Sequence, residues 1–288
     1  MNESPENGSD QKGRLPYRDT AEASRIYITP NLLTAGNMFC GFLAVIWCIR
    51  AKHSEVLETS NLLFTQAVLL ILGAFVFDAF DGRVARTGGK ESLFGKEFDS
   101  IADVISFGMA PALMVFFMIL DPSTGYEFFR VIGWAVGFIF LACAGVRLAR
   151  FNVLTNPFIP GSDEHNKAKD FVGLPAPAAA AMIASLVLVL QNLELKGLAL
   201  GLPLFMLLVA FLMVSEIPYP SFKHIDREHL NLVAFLGVVF GLVLLFSTLR
   251  ENAFAVLFSS YILYGLFRHL HRKNKIRKQK SSTAKKAS

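Results

Sequence analysis

The apolar residues of this chain are grouped in blocks that are long enough to cross a lipid bilayer. The first block runs from Leu32 to Ile49, and similar blocks recur towards the C-terminus. A membrane-spanning helix needs about 20 predominantly apolar residues, because the hydrocarbon layer is about 30 Å thick. Only 18% of the residues are charged, whereas an average soluble domain carries about 25%. The pattern excludes a soluble fold and predicts an all-α, polytopic membrane helix bundle.

About eight transmembrane helices can be placed on the sequence. The predicted spans are 32–50, 61–80, 101–120, 131–149, 174–191, 197–216, 230–249 and 252–268. They form one membrane domain, 26–268, between a polar N-terminal segment at 1–25 and a basic tail at 269–288 that we predict to be disordered. The polar segment does not resemble a cleavable signal peptide, so the first block is expected to remain as a span.

The basic residues are divided unequally between the two faces of the predicted bundle. An even number of spans places both termini on one face, and that face carries most of the 28 Lys and Arg residues. The opposite face receives only Arg50, Lys52, Arg130, Lys196 and Arg250. The positive-inside rule therefore predicts a multi-pass protein of the cell (inner) membrane with both termini in the cytoplasm.

The basic tail is expected to lie near the anionic headgroups of membrane lipids. Nucleic acid is not an expected partner, because no aromatic residues are interleaved with the charges of the tail.

Two pairs of aspartates flank the connection between the second and third predicted spans. Asp78 and Asp81 are three residues apart at the end of one helix, and Asp99 and Asp103 are four apart at the start of the next. Each spacing places a pair on one helical face, and the short connection makes the helices neighbours. Four converging carboxylates beside a bilayer require protonation or a bound cation. Oxygen ligands without His or Cys favour Mg²⁺ or Mn²⁺, and two such ions suit an in-line phosphoryl displacement.

Two alternative roles for these acids remain open at this point. Asp99 or Asp103 taken singly could be an ordinary helix-end charge, since acids favour helix N-termini. This role does not suit Asp78 and Asp81, because the dipole at a helix C-terminus is unfavourable to them. A divalent-cation transporter would also place acids in a membrane domain, but the chain has no further acid in mid-span to continue an ion pathway.

The aspartates belong to a longer pattern, D-x-x-D-G-x-x-A-R-x(8)-G-x-x-x-D-x-x-x-D, which occupies 78–103. Its fixed positions are Asp78, Asp81, Gly82, Ala85, Arg86, Gly95, Asp99 and Asp103. The pattern resembles the signature of the CDP-alcohol phosphatidyltransferase family and matches it without a departure. The resemblance implies an integral membrane enzyme that moves a phosphatidyl group from CDP-diacylglycerol to an alcohol. It also implies a homodimer.

The resemblance implies a role for each matched residue. The metal ligands would be Asp78, Asp81, Asp99 and Asp103, and Asp103 would also be the catalytic base that takes the acceptor's hydroxyl proton. A segment similar to Pro30–Thr34 lies near the nucleotide in the family, and a loop hydroxyl is a comparable candidate. The residues expected to bind the CDP-linked lipid are therefore Gly82, Ala85, Arg86, Gly95, Asn31, Thr34 and Ser92.

Three later stretches bear on the acceptor alcohol. RLARFN at 147–152, GLPAPA at 173–178 and YPSFK at 219–223 are similar to stretches of the phosphatidylserine synthase branch of the family. This resemblance implies L-serine as the acceptor, with phosphatidylserine and CMP as products. The alternative acceptor is glycerol 3-phosphate, which would give phosphatidylglycerophosphate.

Binding of the acceptor's carboxylate, or of a phosphate, requires a cation. Arg147 and Arg150 are candidates, because a guanidinium pairs with either anion through two hydrogen bonds, and Asn152 is a third candidate. The same arginines would also satisfy the helix dipole and the positive-inside rule, so a purely structural role for them stays open.

Overall fold

The structure is a computed structural model that describes residues 27–87, 92–121, 129–156, 170–192, 201–220 and 252–287. Within these ranges the chain forms helices and one two-stranded antiparallel sheet. The helices are α1 (Ile28–Lys52), α2 (Leu57–Thr87), α3 (Leu93–Leu120), α4 (Phe129–Leu154), α5 (Ala176–Asn192), α6 (Gly201–Val214) and α7 (Ala253–Ala287). The strands are β1 (Asp170–Val172) and β2 (Pro218–Pro220).

Five of the described helices are long and apolar enough to cross a membrane, namely α1 to α4 and the part of α7 at Ala253–His271. Helices α5 and α6 are apolar but shorter, with 17 and 14 residues. The all-α, polytopic membrane architecture predicted from the sequence is therefore confirmed. The segment 1–25 and the predicted span 230–249 lie outside the described residues, so the structure does not establish a total of eight spans.

The buried face of α1 is lined by small residues that recur every three or four positions. They include Thr34, Asn37, Gly41, Ala44, Cys48 and Ala51. Small side chains let helix backbones approach closely inside a membrane. The closest approach is at Gly41, where a Cβ atom would lie only 2.6 Å from Cα of Ser106 on α3. Helix α1 thus packs against both α2 and α3 and carries two polar residues, Thr34 and Asn37, into their interface.

Helices α2 and α3 extend beyond the predicted spans. Helix α2 continues to Thr87 rather than ending near residue 80, and α3 begins at Leu93 rather than near 101. The added turns carry charged residues, so a search for apolar blocks does not detect them. Ser92, predicted to be a loop hydroxyl, is the N-cap of α3, since its Oγ accepts a hydrogen bond from the Gly95 N–H at 3.1 Å. All four aspartates of the pattern consequently lie within helices.

Helix α3 widens into a π-helix directly after Asp103. The π-helical turns occupy Val104–Met109 and Phe116–Leu120, with an α-helical segment between them that contains Pro111. Proline has no N–H and its ring collides with the carbonyl one turn earlier in a regular helix. A wider turn before Pro111 relieves this conflict, and such turns are frequent at functional sites.

The small sheet fastens the end of α6 to the start of α5. Phe171 of β1 pairs with Tyr219 of β2, and the Gly173 N–H donates to the carbonyl O of Ile217 at 2.9 Å. Gly173 has a φ of 80°, a conformation that glycine adopts readily. The sheet holds Tyr219 against Gly265 of α7, where a Cβ atom would lie 3.2 Å from Tyr219 Cζ.

Helix α7 continues to Ala287, through most of the tail that was predicted to be disordered. The physical reason lies in composition, because eight of the 20 tail residues are Lys or Arg, which favour a helix. The absence of an apolar stripe in the tail predicts a lack of packing partners, and it does not by itself predict the backbone conformation.

Candidate active site

Carboxylate groups from α2 and α3 meet at one place. One carboxylate oxygen from each of Asp78, Asp99 and Asp103 lies within 4.8 Å of the others. The fourth acid, Asp81, is within hydrogen-bonding reach of Asp99. Asp81 and Asp103 are nearly inaccessible, with relative exposures of 4% and 6%. The four aspartates selected from the sequence therefore form a single cluster, in which Asp78 and Asp99 are only partly buried.

The cluster has the chemistry of a site for a divalent cation. Its like charges repel one another, and Oδ1 of Asp99 is buried without a hydrogen-bond partner among the described residues. A buried acceptor without a donor costs about 1–3 kcal/mol, a cost that a bound cation removes. The grouped ligand atoms are all carboxylate oxygens, which hard cations such as Mg²⁺, Mn²⁺ and Ca²⁺ prefer to softer ligand types. The residues that are present fit a hard divalent metal.

Helix α1 holds Asp81 through a hydroxyl group. Thr34 Oγ1 donates to Asp81 Oδ2 at 2.9 Å, and it also lies 3.2 Å from the carbonyl O of Pro30, one helical turn earlier. Both Thr34 and Asp81 are buried. Thr34 was expected to contact the lipid substrate, and its observed contact is with a metal-ligand candidate. It therefore fixes the orientation of a carboxylate.

A second residue of α1, Asn37, holds Asp103, and it was not among the residues predicted from the sequence. Asn37 Nδ2 donates to Asp103 Oδ1 at 3.0 Å, and the Ser106 hydroxyl donates to the backbone carbonyl O of Asn37 at 2.9 Å. Asn37 follows Thr34 by three positions and so lies on the same helical face. A buried amide in a predicted span was the available signal, since polar groups in a membrane are costly and mark functional sites.

Three of the residues expected near the nucleotide lie at the adjoining ends of α1 and α3. A Cβ atom at Gly95 would lie 3.4 Å from both Asn31 Oδ1 and Ser92 Oγ, so the missing side chain leaves room between them. Asn31 Nδ2 is buried and has no hydrogen-bond partner within the described ranges. Gly82 lies on the last turns of α2, partly buried. Ala85 and Arg86 follow it on the same helix, but their side chains are outside the described part, so their role stays a prediction.

The arginines at the end of α4 have different surroundings. Arg147 is 9% exposed and interacts electrostatically with Asp103 and Asp78. Its guanidinium carbon lies 5.7 Å from the centre of the Phe151 ring. Arg150 is directed to the end of α6, where its Nη1 donates to the carbonyl O of Val214 at 3.4 Å. Of the two arginines, Arg147 alone is brought to the acid cluster.

Asn152 joins α4 to α3. Its Nδ2 donates to Ser100 Oγ at 2.8 Å and to Glu97 Oε2 at 3.3 Å. Lys96 adds to this junction through hydrogen bonds to the Asn152 carbonyl O and the Thr155 hydroxyl. The observed contacts of Asn152 are therefore with α3, and its expected contact with the acceptor stays a prediction.

A comparison with protein-family models matches residues 27–216 to the CDP-alcohol phosphatidyltransferase family. The chain belongs to this family. It is 38% identical over 261 residues to the CDP-diacylglycerol–serine O-phosphatidyltransferase of Helicobacter pylori, a match that covers 90% of this chain and 98% of that protein. A Bacillus subtilis protein of the same name is 30% identical over 202 residues, which are 70% of this chain and 95% of the relative. The archaetidylserine synthase of Methanothermobacter thermautotrophicus is 36% identical over 193 residues, which are 66% and 69% of the two chains.

Members of the CDP-alcohol phosphatidyltransferase family depend in general on a divalent metal, in agreement with the aspartate cluster.

Two tyrosines outside the family match extend the site. Tyr261 of α7 interacts with Arg147, and its ring centre lies 5.8 Å from that of Tyr219. The Tyr219 hydroxyl is buried without a hydrogen-bond partner in the described ranges. Burial raises the pKa of Tyr219 to about 12, so this hydroxyl stays protonated near neutral pH.

Neither tyrosine was given a role from the sequence. An aromatic residue in an apolar helix is usually a packing residue, and only the fold brings Tyr261 to Arg147.

Proposed function

We propose that this protein transfers the phosphatidyl group of CDP-diacylglycerol to L-serine and produces phosphatidylserine and CMP. The convergence of Asp78, Asp99 and Asp103 beside the buried Arg147 carries the proposal. It joins oxygen ligands for a cation to a positive charge suited to an acceptor's carboxylate. The two serine phosphatidyltransferases above are named for this reaction, and one of them is similar to this chain over 90% of its length.

Asp78, Asp81, Asp99 and Asp103 would hold Mg²⁺ or Mn²⁺, with two ions as the proposed number. The metal would supply positive charge that neutralises the pyrophosphate and the departing CMP. Thr34 and Asn37 keep two of the carboxylates in fixed orientations through the hydrogen bonds described above.

Asp103 is the proposed general base. The serine hydroxyl oxygen attacks the phosphorus that carries diacylglycerol, a new P–O bond forms, and the hydroxyl proton passes to the Asp103 carboxylate. The bond between that phosphorus and the bridging oxygen breaks, and CMP leaves with the electron pair. A carboxylate is a weak base towards an alcohol, so proton transfer accompanies formation of the P–O bond.

The two ends of the site would bind different parts of the substrates. Residues near the starts of α1 and α3 and the end of α2 would contact the CDP-linked lipid, namely Gly82, Ala85, Arg86, Gly95, Asn31 and Ser92. Arg147 would pair with the carboxylate of serine, since a guanidinium matches a carboxylate with two parallel hydrogen bonds. Phe151 and Tyr261 would restrict the space around that pair.

An acceptor-by-acceptor assay tests the proposal. Purified protein in micelles that contain CDP-diacylglycerol should release CMP with Mg²⁺ or Mn²⁺ and L-serine, and radiolabelled serine should appear in lipid. Glycerol 3-phosphate is the competing acceptor, because Arg147 would also bind a phosphate. Stimulation of CMP release by glycerol 3-phosphate but not by serine would overturn the choice of acceptor.

We also propose that the chain is a homodimer of the inner membrane, with the aspartate cluster and both termini on the cytoplasmic side. The distribution of basic residues supports this orientation. Labelling of single cysteines placed at 10 and at 280 with an impermeant reagent tests it, since both positions should react only after the membrane is opened. Crosslinking in native membranes tests the dimer.

A further inference from the structure

Asn37 on α1 is hydrogen-bonded to α3 through both its backbone and its side chain. Its carbonyl O accepts a hydrogen bond from Ser106 on the π-helical turn, and its Nδ2 donates to Asp103 three residues earlier on α3. The side chain is completely buried. Asn37 therefore has one fixed position relative to the proposed catalytic base.

The orientation of the Asn37 amide is also determined. If the amide were turned over, its oxygen would face the Asp103 carboxylate. While Asp103 is ionised, as a general base must be, two acceptors would then repel each other. The observed orientation leaves Oδ1 buried with no hydrogen-bond partner among the residues that the structure describes. Buried polar atoms are nearly always paired in folded proteins. An unpaired oxygen on the same planar group that contacts Asp103 thus indicates a donor that is supplied by a ligand.

Serine offers such a donor. Its ammonium group has three N–H donors and is separated from the hydroxyl by two carbon atoms. If the hydroxyl of serine lies at Asp103, its ammonium group therefore also lies near Asp103 and near Asn37, which is hydrogen-bonded to Asp103. An uncharged amide oxygen accepts a charge-assisted hydrogen bond from an ammonium. Arg147, also beside Asp103, suits the carboxylate, which is the third group of serine.

We propose that Asn37 is an acceptor-binding residue whose Oδ1 accepts a hydrogen bond from the ammonium group of serine while its Nδ2 positions Asp103. This inference rests on the proposed function and deepens it. A site that is built to hydrogen-bond one group discriminates against analogues without that group, because its own polar atom is then left unpaired. Asn37 accordingly contributes to the choice of an amino alcohol over an alcohol that has no amine.

The test compares L-serine with 3-hydroxypropionate, which keeps the hydroxyl and the carboxylate and lacks the amine. In the unmodified protein, kcat/KM for serine should exceed that for 3-hydroxypropionate by about tenfold to 100-fold, the range of a charge-assisted hydrogen bond. In Asn37→Ala kcat should fall with both acceptors, because Asp103 loses its hydrogen bond from Nδ2. In addition the ratio should approach one, the KM for serine should rise by about tenfold or more, and the KM for CDP-diacylglycerol should stay unchanged. Ser106→Ala is the matched control, since it removes the bond to the Asn37 backbone and keeps the amide.

A purely structural role would give a different pattern. Asn37→Ala would then reduce activity with both acceptors in equal proportion, or lower kcat alone, and either result would overturn the inference. Thermal unfolding of the variant identifies a folding defect, and Asn37→Ser, with a smaller change in polarity, repeats the comparison if Asn37→Ala does not fold. Failure of the proposed function is a separate result, because it appears in the unmodified protein as the absence of serine-stimulated CMP release.

Discussion

The metal side and the acceptor side of the site are built in different ways. On the metal side, three adjacent helices pack closely through small residues, and Thr34 holds the Asp81 carboxylate by a hydrogen bond of 2.9 Å. On the acceptor side, a single buried arginine on α4 lies among larger aromatic side chains from α4 and α7. The first side belongs wholly to the family match at 27–216, and the second draws on residues beyond it.

This difference indicates that the metal side is responsible for the chemistry of phosphoryl transfer and the acceptor side for the choice of the alcohol. Geometry at the metal side must be maintained within narrow limits, because phosphoryl transfer depends on the positions of charged groups. The acceptor side has to fit one alcohol and reject others, and a change of surrounding side chains is sufficient for that. Substitutions on the metal side should therefore have large effects with every acceptor. Those on the acceptor side should have smaller effects that depend on the acceptor.

The largest expected effect is removal of the metal. A chelator should abolish CMP release with every acceptor, and added Mn²⁺ or Mg²⁺ should restore it, because the four aspartates otherwise repel one another and the substrate pyrophosphate. Thermal unfolding provides an independent measurement, since an ion that binds only the folded state raises the Tm. The Tm should rise with metal in the unmodified protein and remain constant in Asp78→Asn. Full activity in the chelator would contradict the metal site.

The next largest effect should come from Asp103→Asn. Loss of a general base reduces the rate by about 10²–10⁴-fold, and kcat measured as CMP release should fall at least that far with serine. Asp121→Asn is the matched control at the far end of the same helix, because Asp121 pairs with Lys52 at 3.1 Å rather than with the cluster. An active Asp103→Asn protein would remove Asp103 from the mechanism, whereas equal losses in both variants would indicate a structural cause.

Thr34→Val should have an intermediate effect on activity, which arises from a lower affinity for the metal. Removal of the hydroxyl leaves Asp81 without its hydrogen bond at 2.9 Å, and loss of such an outer contact typically lowers metal affinity by about 10–100-fold. The concentration of Mn²⁺ that gives half-maximal activity measures this change. Thr65→Val is the control, since Thr65 donates to Gln191 on α5 at 3.2 Å, and its half-maximal metal concentration should not move.

The smallest predicted effect belongs to Tyr261→Phe on the acceptor side. The change removes one hydroxyl beside Arg147, worth about 0.5–1.5 kcal/mol or roughly 2–12-fold, and it should appear in the KM for serine. Tyr264→Phe lies on the same helix with a side chain that is 57% exposed, and it should behave like the unmodified protein. An equal change in the KM for CDP-diacylglycerol would place Tyr261 outside the acceptor side.

The contrast between the two sides also explains how much of the site could be predicted. The four aspartates lie within 26 residues, from Asp78 to Asp103, so helical spacing and a short connection were enough to bring them together. Arg147 and Tyr261 are more than 100 residues apart, and their proximity depends on how α4 and α7 pack. No local pattern encodes that contact. Arg150 and Asn152 were selected for their chemistry, and their described contacts are with α6 and α3.

The fold was predictable to a similar extent. Apolar blocks located most of the helices, because burial in lipid requires continuous hydrophobic surface. They did not locate the polar turns at the end of α2 and the start of α3, which carry the site, or the helical conformation of the basic tail. Asn37 was missed for a related reason, since a single amide hardly changes the hydropathy of a block. Its importance lies in the hydrogen bond to Asp103.

The contact between Gly41 and Ser106 makes activity vulnerable to damage at a distance from every charged group. One additional methyl group on α1 at this point would clash with the backbone of Ser106 and force α1 away from α3. The amide of Asn37, one turn away, would then lose its hydrogen bond to Asp103, although all the aspartates were still present. Such a variant would still contain the complete aspartate pattern and would be predicted to be active from its sequence. It would nevertheless be inactive because of a single carbon atom added inside the helix bundle.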